Sequence, residues 1–134
     1  MAFTITAIGA AATAIGTNGN DTATLGAFST LSVEALAGED FITAGVIASS
    51  TVTMDAGNDT VLLSGAVASS LKGGEGIDTF IGTFLSTGAT IGGGKGTDNI
   101  SLSAVLNGSA AKGGKGADTI SVGLNSQVST VAGG

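Results

Sequence analysis

Cysteine, proline, histidine, arginine, tryptophan and tyrosine are all missing from this chain of 134 residues. Each absence removes a class of explanation. Without cysteine there is neither a disulfide framework nor a thiolate metal site. Without His, Cys, Tyr or Arg the usual bases and nucleophiles are gone, which leaves carboxylates as the main source of acid-base chemistry, so the chain reads as non-enzymatic. Basic charge is confined to Lys72, Lys95, Lys112 and Lys115 against ten acidic residues, a net charge of −6. Nucleic acid is therefore not an expected partner, because phosphate binding needs clustered Lys or Arg. No apolar run reaches the roughly 18 residues of a membrane span, and the N-terminal Met-Ala-Phe-Thr-Ile has no basic segment ahead of an apolar one. Neither membrane insertion nor a cleavable signal peptide is expected.

Bulky side chains are scarce too. Five Phe and two Met are the only large aromatic or thioether residues, although 43% of the chain is apolar. Any core must be thin. Twenty-four glycines, with many Ala, Ser and Thr, suit tightly stacked units, and a mean hydropathy of +0.51 argues against disorder.

What the chain does have is a repeat. Asp21, Asp40, Asp59, Asp78, Asp98 and Asp118 lie 19, 19, 19, 20 and 20 residues apart, each with a glycine two positions earlier. A period of about 20 residues marks a solenoid, in which each unit forms one coil and buries its apolar face against the coils on either side. Two positions after each aspartate stand Ala23, Ile42, Val61, Phe80, Ile100 and Ile120, and four after it Leu25, Ala44, Leu63, Gly82, Leu102 and Val122. That alternation predicts a strand with one buried face. Seven positions before each aspartate come Val33, Val52, Leu71, Ile91 and Ala111, with Val131 in the same rank, which predicts a second strand packed on the first. Between the two strands, Ser64-Gly65, Ser86-Thr87-Gly88 and Asn107-Gly108 mark turns.

The expected fold is all-β: a single solenoid domain over residues 1–134 with two flat parallel sheets. Stacked coils would lie about 4.8 Å apart and turn each rank into a ladder of like side chains. Counting back 20 residues from Asp21 reaches Met1 and puts Phe3 and Ile5 on the inward face of a first strand; Gly133-Gly134 match Gly113-Gly114 at the other end. This arithmetic gives seven coils of 20, 19, 19, 19, 20, 20 and 17 residues.

The Gly-Asp turn carries the chemistry. Its last three copies read Gly73-Gly74-Glu75-Gly76-Ile77-Asp78-Thr79-Phe80, Gly93-Gly94-Lys95-Gly96-Thr97-Asp98-Asn99-Ile100 and Gly113-Gly114-Lys115-Gly116-Ala117-Asp118-Thr119-Ile120. They resemble the RTX nonapeptide Gly-Gly-x-Gly-x-Asp-x-U-x, with U a large apolar residue, of calcium-bound β-rolls. The earlier copies keep only Gly19, Gly38 and Gly57 with their aspartates, and Asp55 stands in one of the missing glycine positions. The usual coil of that family holds two nonapeptides, whereas here one turn per coil matches. The resemblance thus implies calcium as cofactor in a single column along one edge. Asp78, Asp98 and Asp118 would be its side-chain ligands, Gly74, Gly76, Gly94, Gly96, Gly114 and Gly116 its carbonyl donors, and Asp59, Asp40 and Asp21 its weaker continuation.

Elementary electrostatics agrees with a counter-ion. Aspartates stacked at roughly 5 Å repel by about 0.8 kcal/mol per neighbouring pair in water and about 3 kcal/mol at an effective dielectric of 20. Calcium accepts six to eight oxygen ligands in irregular geometry. The alternative is that each Asp only closes an Asx-turn, as in metal-free loops.

Other ranks read more simply. Thr22, Phe41, Thr60, Thr79, Asn99 and Thr119 form an outward, mostly threonine ladder, which suits ice binding less well than strand propensity and cross-coil hydroxyl bonds. Glu34, Glu39, Glu75 and the lysines read as solvated charges. The sequence offers no capping helix, charged end coil or proline, and uncapped solenoids stack head to tail into open filaments. The expected partner is therefore the chain itself, the competing explanation of the open ends being a fragment cut from a longer repeat array. An extracellular or cell-surface structural protein follows, since sites with dissociation constants of about 10⁻⁴ to 10⁻³ M fill only in extracellular calcium. A calcium-dependent spacer or binding module of an adhesin, which would include ice binding, and a virion fibre or decoration protein are the alternatives.

Overall fold

The computed structural model of the chain describes residues 4–8, 11–105, 107–125 and 130–134. Among these it is all strand and turn, without a helix. The strands in chain order are β1 (Thr4–Ile8), β2 (Ala11–Ile15), β3 (Thr22–Leu25), β4 (Thr30–Glu34), β5 (Phe41–Ala48), β6 (Thr51–Ala56), β7 (Thr60–Val67), β8 (Ser70–Glu75), β9 (Thr79–Ser86), β10 (Thr90–Lys95), β11 (Asn99–Val105), β12 (Ala110–Lys115), β13 (Thr119–Asn125) and β14 (Thr130–Ala132). Odd strands from β3 to β13 form one sheet, and the even strands, with β1 at the edge, form the other. From β2 onward every pairing is parallel, so the chain is a β-solenoid of about six turns.

Register follows the aspartate count. Ile42 pairs with Val61, Val61 with Phe80, Phe80 with Ile100 and Ile100 with Ile120. Across the core, Ala14, Val33, Val52, Leu71, Ile91, Ala111 and Val131 stack in one rank. The two ranks meet in a single apolar cluster whose largest member, Phe80, is fully buried. Nearly all of it is aliphatic or Ala, so the sheets lie close together and the core is as thin as the composition predicts.

Two expectations fail. Ser64-Gly65 is not a turn but lies inside β7, and the chain turns later, at Ala68, which has positive φ like Ser49 in the coil before. The reason is a bend within the strand. Inward positions run +2, +4 and then +7 from each aspartate, so Ile47, Ala66, Leu85 and Val105 form a third buried rank one residue out of phase with simple alternation. Secondly, the chain does not begin with a full coil. Thr4–Ile8 pairs antiparallel with β2, Ile5 opposite Ala14, so this segment lies on the edge of the eight-stranded sheet and not in the sheet that follows each aspartate. Met1 and Phe3 lie outside the described residues.

The change from 19- to 20-residue coils is taken up at one place. Thr87-Gly88 and Asn107-Gly108 both have positive φ at two successive residues, where the shorter coils use one, Ser49 or Ala68. The aspartate edge keeps the same spacing to the strands on both sides throughout.

Truncating the centre of the stack should be costly. Phe80→Ala is expected to lose about 3–5 kcal/mol of stability, whereas Ile77→Ala, on a side chain 54% exposed, should stay within about 0.5 kcal/mol; urea unfolding checks both.

Candidate metal edge

Each coil passes from the even to the odd sheet through the Gly-Asp turn. From the Asp40 turn onward the chain takes positive φ two positions before the aspartate, where Gly38, Gly57, Gly76, Gly96 and Gly116 sit, and again four before it, where the last three coils have Gly74, Gly94 and Gly114. In the earlier coils that second place is held by Leu36 (φ 77°) and Asp55 (φ 69°), a conformation that is costly for residues bearing a Cβ. Added side-chain atoms would also strike the coil before: a Cβ at Gly76 would lie 1.8 Å from the Gly57 carbonyl oxygen, and one at Gly96 1.6 Å from that of Gly76. Whatever else these glycines do, close stacking requires them.

The aspartates form the expected column, and nearly all are buried: Asp21, Asp40, Asp59, Asp78 and Asp98 are each no more than 2% exposed, and Asp118 is half-buried. Their first oxygen closes the turns. The backbone N–H of Asp21 donates to Oδ1 of Asp40 (2.7 Å), that of Asp40 to Asp59 (2.7 Å), Asp59 to Asp78 (3.0 Å), Asp78 to Asp98 (2.9 Å) and Asp98 to Asp118 (3.0 Å). Each main-chain carbonyl of the column accepts in turn from the residue after the next aspartate, as Thr79 N–H does to Asp59 (2.8 Å).

Their second oxygen is different. Oδ2 of Asp40, Asp59, Asp78, Asp98 and Asp118 is buried without a hydrogen-bond partner. At Asp21 it is satisfied, by the Thr17 N–H (2.5 Å) and hydroxyl (3.0 Å). The capping role and a possible ligand role therefore fall on different atoms of the same carboxylate. Sequence reasoning treated them as rivals.

In the last three coils Oδ2 occupies space that a side chain would otherwise take. A Cβ at Gly73 would lie 2.1 Å from Asp78 Oδ2 and 2.3 Å from the Gly93 carbonyl oxygen; at Gly93 and Gly113 it would lie 2.3 and 2.2 Å from the Oδ2 of Asp98 and Asp118. An orphaned, buried carboxylate oxygen in a cradle that a Cβ would fill, with the Gly93 carbonyl facing the same place in the Asp78 turn, fits a hard cation such as calcium. Asp78, Asp98 and Asp118, with the carbonyls of the neighbouring Gly-Gly turns, would hold it and its charge would offset theirs. Among the described residues no three acidic side chains gather at one point, so any such site would draw mainly on backbone oxygen and water. The first glycine of each pair, Gly73, Gly93 or Gly113, is a site residue that sequence reasoning passed over, although it stood in the motif.

A second polar ladder, also missed, runs along the opposite edge. The buried Ser50 hydroxyl accepts from Leu31 N–H (2.9 Å) and donates to the Ala48 carbonyl (2.7 Å); Ser69 does the same with Ser50 N–H (3.1 Å) and the Val67 carbonyl (2.8 Å). The spacing of Ser50 and Ser69 was its signal; Ala89 breaks the rank, and the buried hydroxyl of Ser109 beyond it has no hydrogen-bond partner. On the outside, the threonine rank is interrupted by exposed Phe41, with exposed Ile81 beside it. Glu75 and Lys95 pair on adjacent coils, both largely in solvent.

Compared with known proteins, the chain matches no family model, no curated protein and no solved structure. Fold and edge together define its class, a parallel β-solenoid with a buried carboxylate column.

Burial governs the titration of that column. It pushes Asp59 up to about 7 from an ordinary 3.8, against the Asp40 N–H and helped by the charges of Asp78, Asp40 and Asp55. Asp78 rises to about 6, again chiefly by burial and then by the charge of Asp98, and Asp40 and Asp98 are raised for the same first reason. The folded chain thus binds more protons than the unfolded one between 3.8 and about 7, and stability falls as pH rises across that window. Without divalent ions the urea midpoint should be higher at about pH 5 than at about pH 8. Separately, Asp78→Ala should cost about 1–3 kcal/mol in chelator by orphaning the Asp59 N–H, while Asp78→Asn, which keeps an acceptor for it, should cost less.

Proposed function

We propose that the chain is a non-catalytic structural element, a rod that works outside the cell, takes up calcium along its aspartate edge and joins end to end with copies of itself in a filament or surface layer. The observation that carries this reading is the run of five buried Oδ2 atoms without partners in successive coils. Left ionised and unpaired, that column would work against the stacking it holds together; a divalent ion reverses the sign of the effect. Millimolar extracellular calcium suits modest sites of this kind, which in the cytosol would stand largely empty. The RTX-like turns point to the same ion. End-to-end joining is favoured by the parallel stacking itself, since β13 presents to a following strand the kind of edge that β11 presents to it.

One observation favours a second reading. β1 lies antiparallel along β2, so at that end a copy continuing the parallel stack would meet a foreign strand on the eight-stranded sheet. A solenoid closed there suits a calcium-dependent spacer or binding module of an adhesin.

Sedimentation velocity in millimolar calcium and in chelator separates the two. Large species only in calcium are expected for the filament. A monomer whose melting temperature still rises with calcium would leave the spacer, and no response of either kind would remove calcium from both readings.

A further inference from the structure

We propose that the outer face of the eight-stranded sheet is a lateral docking surface for a second copy of the chain. The two copies lie antiparallel, so that Glu34 of each meets Lys72 of the other and Ile15 of each enters a hollow at Gly92 of the other. The pairing needs neither a bound metal nor end-to-end joining.

Charge is spread unevenly around the coil and along it. No strand of the six-stranded sheet carries an ionisable side chain. Outside the aspartate column, every charged side chain lies on an even strand or in the turn that follows it. The first coils contribute Glu34, Glu39 and Asp55, all negative; from Lys72 onward come four lysines and Glu75. Glu75 pairs with Lys95, whereas Glu34 and Lys72, both exposed, have no ion-pair partner among the described residues. One face therefore has an acidic half and a basic half, an arrangement that complements itself when two copies run in opposite directions. Copies running the same way would set Glu34 on Glu34 and Lys72 on Lys72.

The central outward rank of the even strands sets the register. It runs Ile15, Glu34, Thr53, Lys72, Gly92 and Lys112, one residue per coil and each paired with the next. A two-fold axis along the strand direction, passing over Thr53, reverses that order: Glu34 then faces Lys72 and Ile15 faces Gly92, each contact made twice. Coils are evenly spaced at about 4.8 Å, so the contacts fall in step. The outward rank beside it, Thr13, Ser32, Thr51, Ser70 and Thr90, is short and uncharged and lets the sheets approach. Centring the pair on Lys72 instead would bring that lysine against its own copy.

The apolar contact fits in shape. Gly92 leaves a hollow of about 230 Å³ between Lys72 and Lys112, with Leu71 and Ile91 at its floor, and a Cβ on Gly92 would meet nothing within 4 Å. Ile15, 47% exposed, is the aliphatic side chain that the two-fold axis brings over it, and seating it there removes apolar surface from water on both copies. A contact of roughly 24 by 17 Å, from the spacing and rise of the strands, is small for a specific interface, so the pair is weak and sensitive to salt.

Sedimentation equilibrium in chelator at about pH 7 tests the pairing. In dilute buffer the unaltered chain is expected to reach twice its 12.6 kDa at concentrations below about 1 mM, and to dissociate in high salt. Glu34→Lys and Lys72→Glu should each weaken the dimer at least about tenfold, while an equimolar mixture of the two variants should restore it as a heterodimer, because both cross-contacts are again opposite in sign. Gly92→Val, which fills the hollow without a change of charge, should weaken it too and serves as the test if a reversal fails to fold. A chain that stays monomeric up to about 1 mM overturns the proposal, as does a dimer unchanged by the variants or a mixture that fails to restore it. A monomer that instead binds polyglutamate through Lys72 would give the basic half to an acidic partner and equally overturn it.

Discussion

The solenoid depends on what happens to one backbone N–H per coil. Where the chain leaves one sheet for the other, the aspartate amide is buried and falls outside both strand ladders, and a buried unpaired amide costs about 1–3 kcal/mol. The next coil supplies the acceptor, its own aspartate Oδ1, at 2.7 to 3.0 Å. Every coil therefore needs its neighbour to carry the same residue at the same place. That requirement keeps the register of both sheets and aligns the apolar ranks on one another.

The bond has a penalty attached. A carboxylate has two oxygens and the amide uses one, so the device that closes the turns also buries charge in a column. A proton or a cation can relieve it, and the raised affinity of Asp59 and Asp78 for protons measures the same electrostatic pressure that a divalent ion would relieve. Stability and ion uptake are thus two consequences of one geometry. Ser50 and Ser69 on the opposite edge avoid the problem: each hydroxyl accepts and donates at once and carries no charge.

Much of this was legible in the residues, and the exceptions have definite causes. Ranks at +2, +4 and −7 from the aspartate could be read because alternation within a strand and periodicity between strands agree there, as at Ile42, Val61 and Phe80. The rank of Ile47, Ala66 and Leu85 was hidden because the strand bends and shifts phase by one residue, so a Ser-Gly pair passed for a turn. β1 was misplaced because counting back from Asp21 assumes that a unit of the right length is a unit of the right shape; Thr4–Ile8 has strand composition but no Gly-Asp turn ahead of it to set its direction. At the metal edge the motif located the carboxylates, but a sequence does not say which of two oxygens is already bonded.

The two edges of the coil differ in how they treat length. Among the described residues, those gained between coils of 19 and 20 enter at Thr87-Gly88 and Asn107-Gly108, across the core from the aspartates, and the strands on either side keep their pairing. The solenoid thus has one edge on which chain can be added and another on which it cannot. Grafted loops, whether acquired by descent or by design, would emerge in a row along the serine side, at intervals of about 4.8 Å per coil, and leave the opposite side uniform.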